Sequence, residues 1–104
     1  MSLSLNTVFG LDGKIALVTG GGRGLGKSMA EGFLAAGAAK VYIASRDMEA
    51  LEATAKELSP DGKCIPIRAN LATVEGCKAL AADFAKLEDK LHILVNNSGA
   101  AWGG

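Results

Sequence analysis

The chain has 104 residues, 11 basic and 11 acidic side chains, and a formal net charge of zero, which fits one domain at most. The balanced charge and a pI near 6.6 argue against binding to nucleic acid or to an anionic membrane, which requires a basic surplus. An apolar fraction of 49% excludes disorder and, with a mean hydropathy of +0.24, is high for so small a soluble protein. We therefore expect the chain to be a piece of a larger protein.

The first half of the chain alternates between strand and helix patterns. Lys14–Thr19 and Lys40–Ser45 are short apolar runs typical of strands that are buried on both faces. Between them, residues 24–36 predict a helix that Gly37 ends. The apolar side chains at helical spacing in this segment are Leu25, Met29, Phe33 and Ala36.

The second half continues the same alternation. Met48, Leu51, Ala55 and Leu58 predict the apolar face of a second helix, which the turn at residues 59–62 closes. Cys64–Arg68 is a third strand, and Pro66 within it predicts a sheet edge because proline cannot donate to the ladder. The third helix carries Cys77, Leu80, Phe84 and Leu87 after a cap near Thr73, and Leu91–Asn96 is the fourth strand.

This β-α-β-α-β-α-β order predicts parallel strands with right-handed crossovers and helices on both faces of the sheet. The fourth strand, Leu91–Asn96, is nearly all apolar, so both of its faces are expected to be covered, yet no helix follows it. The two cysteines, Cys64 and Cys77, have no metal-ligand spacing, and we predict buried thiols in a reducing compartment with no bound metal. No run approaches the ~20 apolar residues that span a bilayer, and Met1–Gly13 lacks the basic residues of a targeting peptide, so a cytoplasmic protein is expected.

Five of the 14 glycines lie between residues 20 and 26, where the first strand passes into the first helix. Such a loop presents backbone N–H groups and the positive helix end to an anion. A tight turn without a ligand is the alternative, but it does not require five glycines. The loop therefore predicts a phosphate-binding site.

Two phosphate-binding motifs overlap in this loop. Gly21-x-x-x-x-Gly26-Lys27-Ser28 satisfies the P-loop pattern for nucleoside triphosphates. A P-loop enzyme also needs an acid that holds magnesium at the end of another strand. The later strands end in Ser45-Arg46, Ala69-Asn70 and Asn96-Asn97, none of which is acidic, so this alternative is the less favoured one.

The glycines Gly20, Gly24 and Gly26 instead follow the pattern T-G-x-x-x-G-x-G. Asn96-Asn97-Ser98-Gly99 is similar to an N-N-A-G motif at the end of a fourth strand, and Phe9–Lys14 is a typical lead-in. On these motifs the sequence resembles the first half of the short-chain dehydrogenase/reductase family, over essentially its whole length.

The resemblance implies a Rossmann-like α/β fold with strand order 3-2-1-4, half of a doubly wound domain. Residues 1–104 would then be the N-terminal part of a single NAD(P)-binding domain whose catalytic half is absent from the chain. The family uses a Tyr as general acid, a Lys that lowers its pKa, and a Ser that orients the carbonyl. None of these maps onto this sequence, so we assign no catalytic residue and expect the chain alone to be inactive.

The tip of the second strand predicts which coenzyme is bound. An acid about 20 residues past the glycines selects NAD, whereas an Arg accepts the 2′-phosphate of NADP. Arg46 occupies this tip, and Arg23 in the glycine loop could approach the same phosphate, as in NADP-dependent family members. A slip of one residue would place Asp47 there and favour NAD, but we interpret Asp47 as the start of the next helix. The predicted coenzyme is NADP, as NADPH.

Further coenzyme contacts follow from the resemblance. Asn70-Leu71 stands where the family usually has an Asp that accepts a hydrogen bond from the adenine, and Asn70 keeps a carbonyl acceptor without the charge. Asn97 resembles the family Asn beside the nicotinamide ribose and Ser98 replaces the usual Ala, although both could be purely structural. The predicted coenzyme-binding residues are Gly20, Arg23, Gly24, Leu25, Gly26, Arg46, Asn70, Leu71, Asn97, Ser98 and Gly99.

Two other residues are of types that often act in catalysis, but their positions in the sequence do not support such a role. Tyr42 precedes Arg46 by four residues and echoes a Tyr-x-x-x-Lys motif, but it lies within a strand, where such residues are about 13 Å apart, so packing is expected. His92 precedes the fourth strand, and a surface or capping role is expected.

The segment ending in Trp102-Gly103 resembles 3-oxoacyl-[acyl-carrier-protein] reductases of the rhamnolipid type, with Trp102 either walling a substrate cleft or packing. We expect the chain to be the N-terminal part of an NADPH-dependent reductase. Its substrate would be a small molecule with a carbonyl group, such as a 3-oxoacyl thioester. We expect the full-length enzyme to be a homo-oligomer with no nucleic-acid or membrane partner. The alternative is a non-catalytic nucleotide-binding or interaction module that borrows strands from another subunit.

Overall fold

The computed structural model describes residues 11–20 and 24–97. Strands and helices alternate in this part of the chain, as the apolar pattern predicts. In chain order the elements are β1 (Ile15–Thr19), α1 (Gly24–Ala35), β2 (Lys40–Ser45), α2 (Met48–Leu58), β3 (Cys64–Arg68), α3 (Val74–Leu87) and β4 (Ile93–Asn96).

The strands form one parallel sheet in the order β3-β2-β1-β4, which confirms the predicted order. Pro66 lies on β3, opposite Ile43 of β2, and β3 is an edge strand, as its missing N–H requires. The central pair β1 and β2 runs in register from Ile15↔Lys40 to Thr19↔Ala44. The parallel arrangement places the carboxyl ends of all these strands along one edge of the sheet.

Helices cover both faces of the sheet. On one face, α1 and α2 pack over Val18, Val41 and Ile43, which are fully buried. On the other face, α3 packs Leu80 and Phe84 over Leu17 and Tyr42. These two layers bury the apolar side chains of β1 and β2 on both sides, which explains why the two strands read as continuous apolar runs.

Caps fix where the second and third helices begin. Asp47 caps α2, with its carboxylate accepting a hydrogen bond from the Ala50 N–H at 3.1 Å. Thr73 caps α3 in the same way, with its hydroxyl accepting from the Gly76 N–H at 2.9 Å. Gly37 follows α1 with φ of 95°, the left-handed conformation that ends a helix. All three boundaries agree with the sequence-based expectations.

The predicted apolar faces of α1 and α3 are wrong at one residue each. Leu25 is 66% exposed because α1 lies against the sheet through the small residues Gly26 and Ala30, which turns Leu25 outward. Leu87 is 54% exposed because it lies in the last turn of α3, beyond the buried pair formed by Leu80 and Phe84.

Strand β4 is covered on one face only within the described residues. Ile93 and Val95 pack against the core beneath α1 and α2. Leu94 lies beside Leu17 on the face that carries α3, and it remains 53% exposed. The expectation that both faces of this apolar strand are covered is therefore met on the α1 side alone.

Candidate functional site

The carboxyl edge of the sheet brings together residues that are far apart in the sequence. Gly20, Arg46, Asn70 and Asn97 each follow the end of a different strand. In open α/β sheets, ligands bind at this edge, at the point where the strand order reverses. Here the order reverses at β1, which lies between β2 and β4, so the turn after β1 is the expected centre of the site.

Described glycines flank residues 21–23, the segment between β1 and α1 that lies outside the described residues. Gly20 and Gly24 have positive φ values of 71° and 63°, which side chains disfavour, and the Gly20 N–H is held by the Ala44 carbonyl at 2.7 Å. A Cβ at Gly24 would meet no described atom within 4 Å, so the backbone there is open to a ligand. The first turn of α1 carries no acidic residue to compete with an anion at the helix end.

Gly26 and Leu25 have different surroundings in that first turn. Gly26 is buried against the sheet, which lets α1 start close to β1. Leu25 is exposed and directly follows Gly24, whose backbone is open. Gly20, Gly24, Leu25 and Gly26 thus lie at one strand–helix junction, as predicted.

The side chain of Lys27, the lysine of the P-loop pattern, pairs with an acid of α2. Its Nζ lies 2.5 Å from Oε2 of Glu57, in the last turn of α2, so the ammonium group is engaged with a carboxylate between the two helices. None of the described strand ends supplies an acid for magnesium, as the sequence already indicates. The geometry therefore disfavours the nucleoside triphosphate alternative.

Arg46 and Asp47, which follow the end of β2, have different surroundings. Arg46 is exposed, and none of the ion pairs among residues 11–20 and 24–97 involves it. The Asp47 carboxylate is occupied by the N-terminus of α2, and the Asp47 N–H lies 3.4 Å from the Ser45 hydroxyl. The interpretation of Asp47 as a helix start is therefore confirmed, and Arg46 is left as the charge that faces solvent at the strand tip.

The tip of β3 holds Asn70 in a local turn. Its Oδ1 accepts a hydrogen bond from the Ala72 N–H at 3.1 Å, so one lone pair of the predicted adenine acceptor is already used. Leu71 is buried in the core beneath α3, which leaves only its backbone facing the edge. Its carbonyl oxygen lies 3.8 Å from the Cys77 sulfur.

The tip of β4 is tied to β1 by the hydroxyl of Thr19. This buried hydroxyl accepts a hydrogen bond from the Asn97 N–H at 3.1 Å and lies 3.2 Å from the Val95 carbonyl and 3.0 Å from Oδ1 of Asn96. The Asn97 N–H also reaches the Thr19 carbonyl at 3.2 Å. Sequence reasoning did not single out Thr19, although its place just before the first glycine is the signal that could have found it.

The predicted residues Arg23, Ser98 and Gly99 lie outside the described residues, as does Trp102. Their proposed roles therefore rest on the sequence. Within the described segments, no helix is long and apolar enough to cross a bilayer, and His, Cys, Asp and Glu form no metal-binding cluster. Burial raises the pKa of the Cys64 thiol to about 11, which makes it an unreactive core residue.

A second polar cluster lies at the opposite, amino edge of the sheet. The Tyr42 hydroxyl and the Lys40 ammonium group both donate to Oε2 of Glu88, at 2.5 and 2.7 Å. His92 Nδ1 accepts from the Ile15 N–H at 3.0 Å and extends the pairing of β1 with the segment before β4. The predicted structural roles of Tyr42 and His92 fit this placement, whereas sequence reasoning missed Glu88.

Together, the parallel sheet in the order β3-β2-β1-β4 and the helices on both of its faces define a Rossmann-like fold. The family model for short chain dehydrogenases matches residues 14–104. The chain belongs to the short-chain dehydrogenase family.

The chain is similar in sequence to individual members of this family. The chain is 48% identical over 99 residues to the rhamnolipids biosynthesis 3-oxoacyl-[acyl-carrier-protein] reductase of Pseudomonas aeruginosa, covering 95% of this chain and 38% of that protein. It is 38% identical over 92 residues to mouse retinol dehydrogenase 11, covering 86% of this chain and 29% of the relative. The chain thus spans well under half the length of these curated relatives.

Solved structures of short-chain enzymes are similar to the chain in both fold and sequence. The Pseudomonas aeruginosa RhlG/NADP active-site complex superposes with a TM-score of 0.81 at 48% identity, over 88% of this chain and 36% of that one. A short-chain enzyme from Burkholderia phymatum in complex with NAD superposes with a TM-score of 0.72 at 32% identity, over 81% of this chain and 30% of that one. The family resemblance and the fold expected from the sequence are confirmed.

Proposed function

We propose that the complete protein is an NADPH-dependent oxidoreductase that transfers hydride to a carbonyl carbon. The observation that carries the proposal is the tip of β2, where Arg46 is free of ion pairs among the described residues and Asp47 is committed to capping α2. A ribose bearing a 2′-phosphate suits an unpaired guanidinium, whereas an unmodified ribose needs a free carboxylate.

The described residues fit a dinucleotide. The open backbone at Gly24 would receive the pyrophosphate at the N-terminus of α1, and the positive φ of Gly20 turns the chain out of β1 toward that position. Asn70 would offer its remaining lone pair to the adenine amino group, and Thr19 would hold Asn97 in place beside the nicotinamide ribose. Arg23, Ser98 and Gly99 complete the proposed set from the sequence.

The bound coenzyme would supply the hydride, and this chain's own residues would bind and orient it. We assign the proton-donating Tyr, the Lys and the Ser of the family to no residue of this chain. Residues 1–104 are therefore proposed as the coenzyme-binding part of a single domain, and the chain alone is expected to be inactive. The complete enzyme is proposed to be a cytoplasmic homo-oligomer.

A 3-oxoacyl thioester is the proposed substrate class. The support is the 48% identity to the Pseudomonas aeruginosa 3-oxoacyl-[acyl-carrier-protein] reductase, which exceeds the 38% identity to mouse retinol dehydrogenase 11. The Trp102-Gly103 pair, which resembles reductases of that type, points to the same substrate class.

Coenzyme binding to the complete gene product tests the proposal most directly. In a fluorescence titration, NADPH is expected to bind at least about tenfold more tightly than NADH, since a charge-assisted bidentate contact is worth about that much. Ligand at about 100 times its Kd should stabilise the protein by about 2.7 kcal/mol, and Mg-ATP should not. Tighter binding of NADH would overturn the coenzyme assignment, and stabilisation by Mg-ATP alone would revive the P-loop alternative.

Turnover tests the substrate class separately. The complete protein should oxidise NADPH with acetoacetyl-coenzyme A, a soluble 3-oxoacyl thioester, and should do so more efficiently than with retinal. Activity with retinal but none with the thioester would contradict the proposed substrate class while leaving the coenzyme assignment intact.

A further inference from the structure

A second arginine lies next to the tip of β2. Arg68 ends β3 and stands opposite Ser45, the residue that directly precedes Arg46. The Ala69 N–H donates to the Ser45 carbonyl at 2.8 Å, so the two strands remain paired up to this point. The backbones that carry Arg46 and Arg68 are therefore neighbours at the carboxyl edge of the sheet.

Strand alternation places Arg68 on the side of the sheet where the candidate site opens. Cys64, Pro66 and Arg68 share one face of β3, and Cys64 belongs to the core beneath α1 and α2. Helix α1 begins on that same face, at Gly24, where the backbone is open. Arg68 thus flanks the site from β3, opposite the end of β2 that Arg46 directly follows.

Among the described residues, no carboxylate forms an ion pair with either arginine. Both arginines are exposed. The carboxylate nearest to Arg46 in sequence, that of Asp47, accepts the capping hydrogen bond of α2. Two like charges on adjacent strand ends repel one another unless an anion lies between them.

We propose that Arg68 is a further specificity-determining residue, which binds the 2′-phosphate of NADPH together with Arg46. This inference rests on the proposed function. A phosphate monoester has several acceptor oxygens, so two guanidinium groups on neighbouring strands can each donate to it. The arrangement gives this chain a contact for the 2′-phosphate on β3 in addition to the contact on β2.

The experiment uses two probes that differ only in the 2′-phosphate, adenosine 2′,5′-bisphosphate and adenosine 5′-monophosphate. Their Kd values are measured by calorimetry on the complete gene product and on the variants Arg68→Ala, Arg68→Lys and Arg46→Ala. Lys63→Ala is the matched control, because Lys63 is an exposed cation that precedes the opposite end of β3. Thermal unfolding of each variant verifies its folding.

Arg68→Ala is expected to weaken the affinity for the bisphosphate about five- to tenfold, as loss of one exposed charge-assisted contact predicts. The affinity for the monophosphate should change less than about twofold. Arg68→Lys should recover part of the loss because it restores the charge without the planar fork. Lys63→Ala should leave both affinities unchanged. The salt dependence of bisphosphate binding should become shallower in Arg68→Ala.

The outcomes separate the inference from the proposed function. If the unmodified protein binds both probes equally, the NADPH assignment itself fails. If the unmodified protein prefers the bisphosphate and Arg68→Ala keeps that preference in full, only the role of Arg68 is overturned. A role for Arg68 in binding the 2′-phosphate is also rejected if Arg68→Ala weakens the binding of both probes equally. The same holds if Arg68→Ala keeps full affinity for the bisphosphate while Arg46→Ala loses it.

Discussion

The Tyr42 hydroxyl donates a hydrogen bond to Oε2 of Glu88 at 2.5 Å, which joins β2 to the residue that caps the end of α3. The Lys40 ammonium group reaches the same oxygen at 2.7 Å, and the Glu88 side chain is only 9% exposed. The Tyr42 ring packs edge-to-face on Phe84, with centroids 5.0 Å apart. These contacts attach α3 to the sheet at the edge opposite the candidate site, so their role is stability.

Removing the Tyr42 hydroxyl should destabilise the protein without affecting coenzyme binding. Tyr42→Phe keeps the ring contact and deletes one hydrogen bond to a carboxylate, which predicts a loss of about 1–2 kcal/mol in the free energy of unfolding. Urea denaturation measures the loss, and the Kd for NADPH in the folded variant is the control. A large change in that Kd would contradict the structural role.

The same cluster predicts how stability depends on pH in acid. The hydrogen bond from Lys40, followed by the one from Tyr42, lowers the pKa of Glu88 below its ordinary value. The resulting stability is present above the unfolded-state pKa, about 4.3, and is lost as pH falls through the lower folded-state pKa. Glu88→Gln should flatten this part of the profile. The contribution of Asp61, whose pKa is lowered chiefly by the Ser59 hydroxyl, should remain.

At alkaline pH the dependence of stability on pH has the opposite sign. Burial, followed by the hydrogen bond to Glu88 and its charge, raises the pKa of Tyr42 from 10.0 to about 12. The unfolded chain releases the phenolic proton first, so stability is retained below about pH 10 and falls as pH rises toward the folded-state value. Tyr42→Phe should lack this fall. An unchanged alkaline profile in Tyr42→Phe would show that another group is responsible.

Local signals allowed the fold to be predicted from the sequence. Pro66 indicates an edge strand because of its missing donor, and Asp47 and Thr73 indicate helix starts because their side chains cap free N–H groups. Each of these signals depends on a few neighbouring residues. The five glycines between residues 20 and 26 likewise indicate the strand–helix junction, whereas the strand order followed from a family resemblance that the match to residues 14–104 confirms.

The features that were missed depend on contacts between distant residues. Glu88 meets Tyr42 across 46 positions and Thr19 meets Asn97 across 78, so no local pattern indicates either pair. Apolar spacing predicts Leu25 on the buried face of α1, but it does not account for Gly26, whose small size brings its own face of the helix against the sheet. Such errors arise because tertiary packing determines the rotation of a helix.

Asp47 should act on stability and not on coenzyme choice. Asp47→Ala removes the cap of α2 and should cost about 1 kcal/mol in urea denaturation, whereas Asp47→Ser retains an acceptor and should cost little. Neither variant should change the ratio of the Kd values for NADPH and NADH. A strong shift of that ratio toward NADPH in Asp47→Ser would mean that Asp47 contacts the ribose instead.

Gly76 is required where α3 begins beside Asn70. A Cβ at this position would overlap the Asn70 backbone carbonyl and press on the Thr73 hydroxyl that caps the helix. Gly76→Ala should therefore destabilise the protein by more than about 2 kcal/mol, because backbone must move. Gly32→Ala is the matched control: it lies within α1 with no described atom within 4 Å of the added methyl, and it should stabilise by about 0.5–1 kcal/mol. Similar melting temperatures for the two variants would reject this explanation.

Thr19 couples the stability of the sheet to the geometry of the site, because its buried hydroxyl accepts from the Asn97 N–H. Thr19→Val fills nearly the same volume but leaves the Val95 carbonyl and Asn96 without that hydroxyl, which should cost about 1–3 kcal/mol and weaken NADPH binding. Thr19→Ser restores the hydroxyl and loses only a methyl group, so it should lose stability but keep its coenzyme affinity. Urea denaturation and fluorescence titration of both variants separate the two effects. If NADPH affinity followed stability equally in Thr19→Val and Thr19→Ser, the hydroxyl would have no separate role in positioning the end of β4.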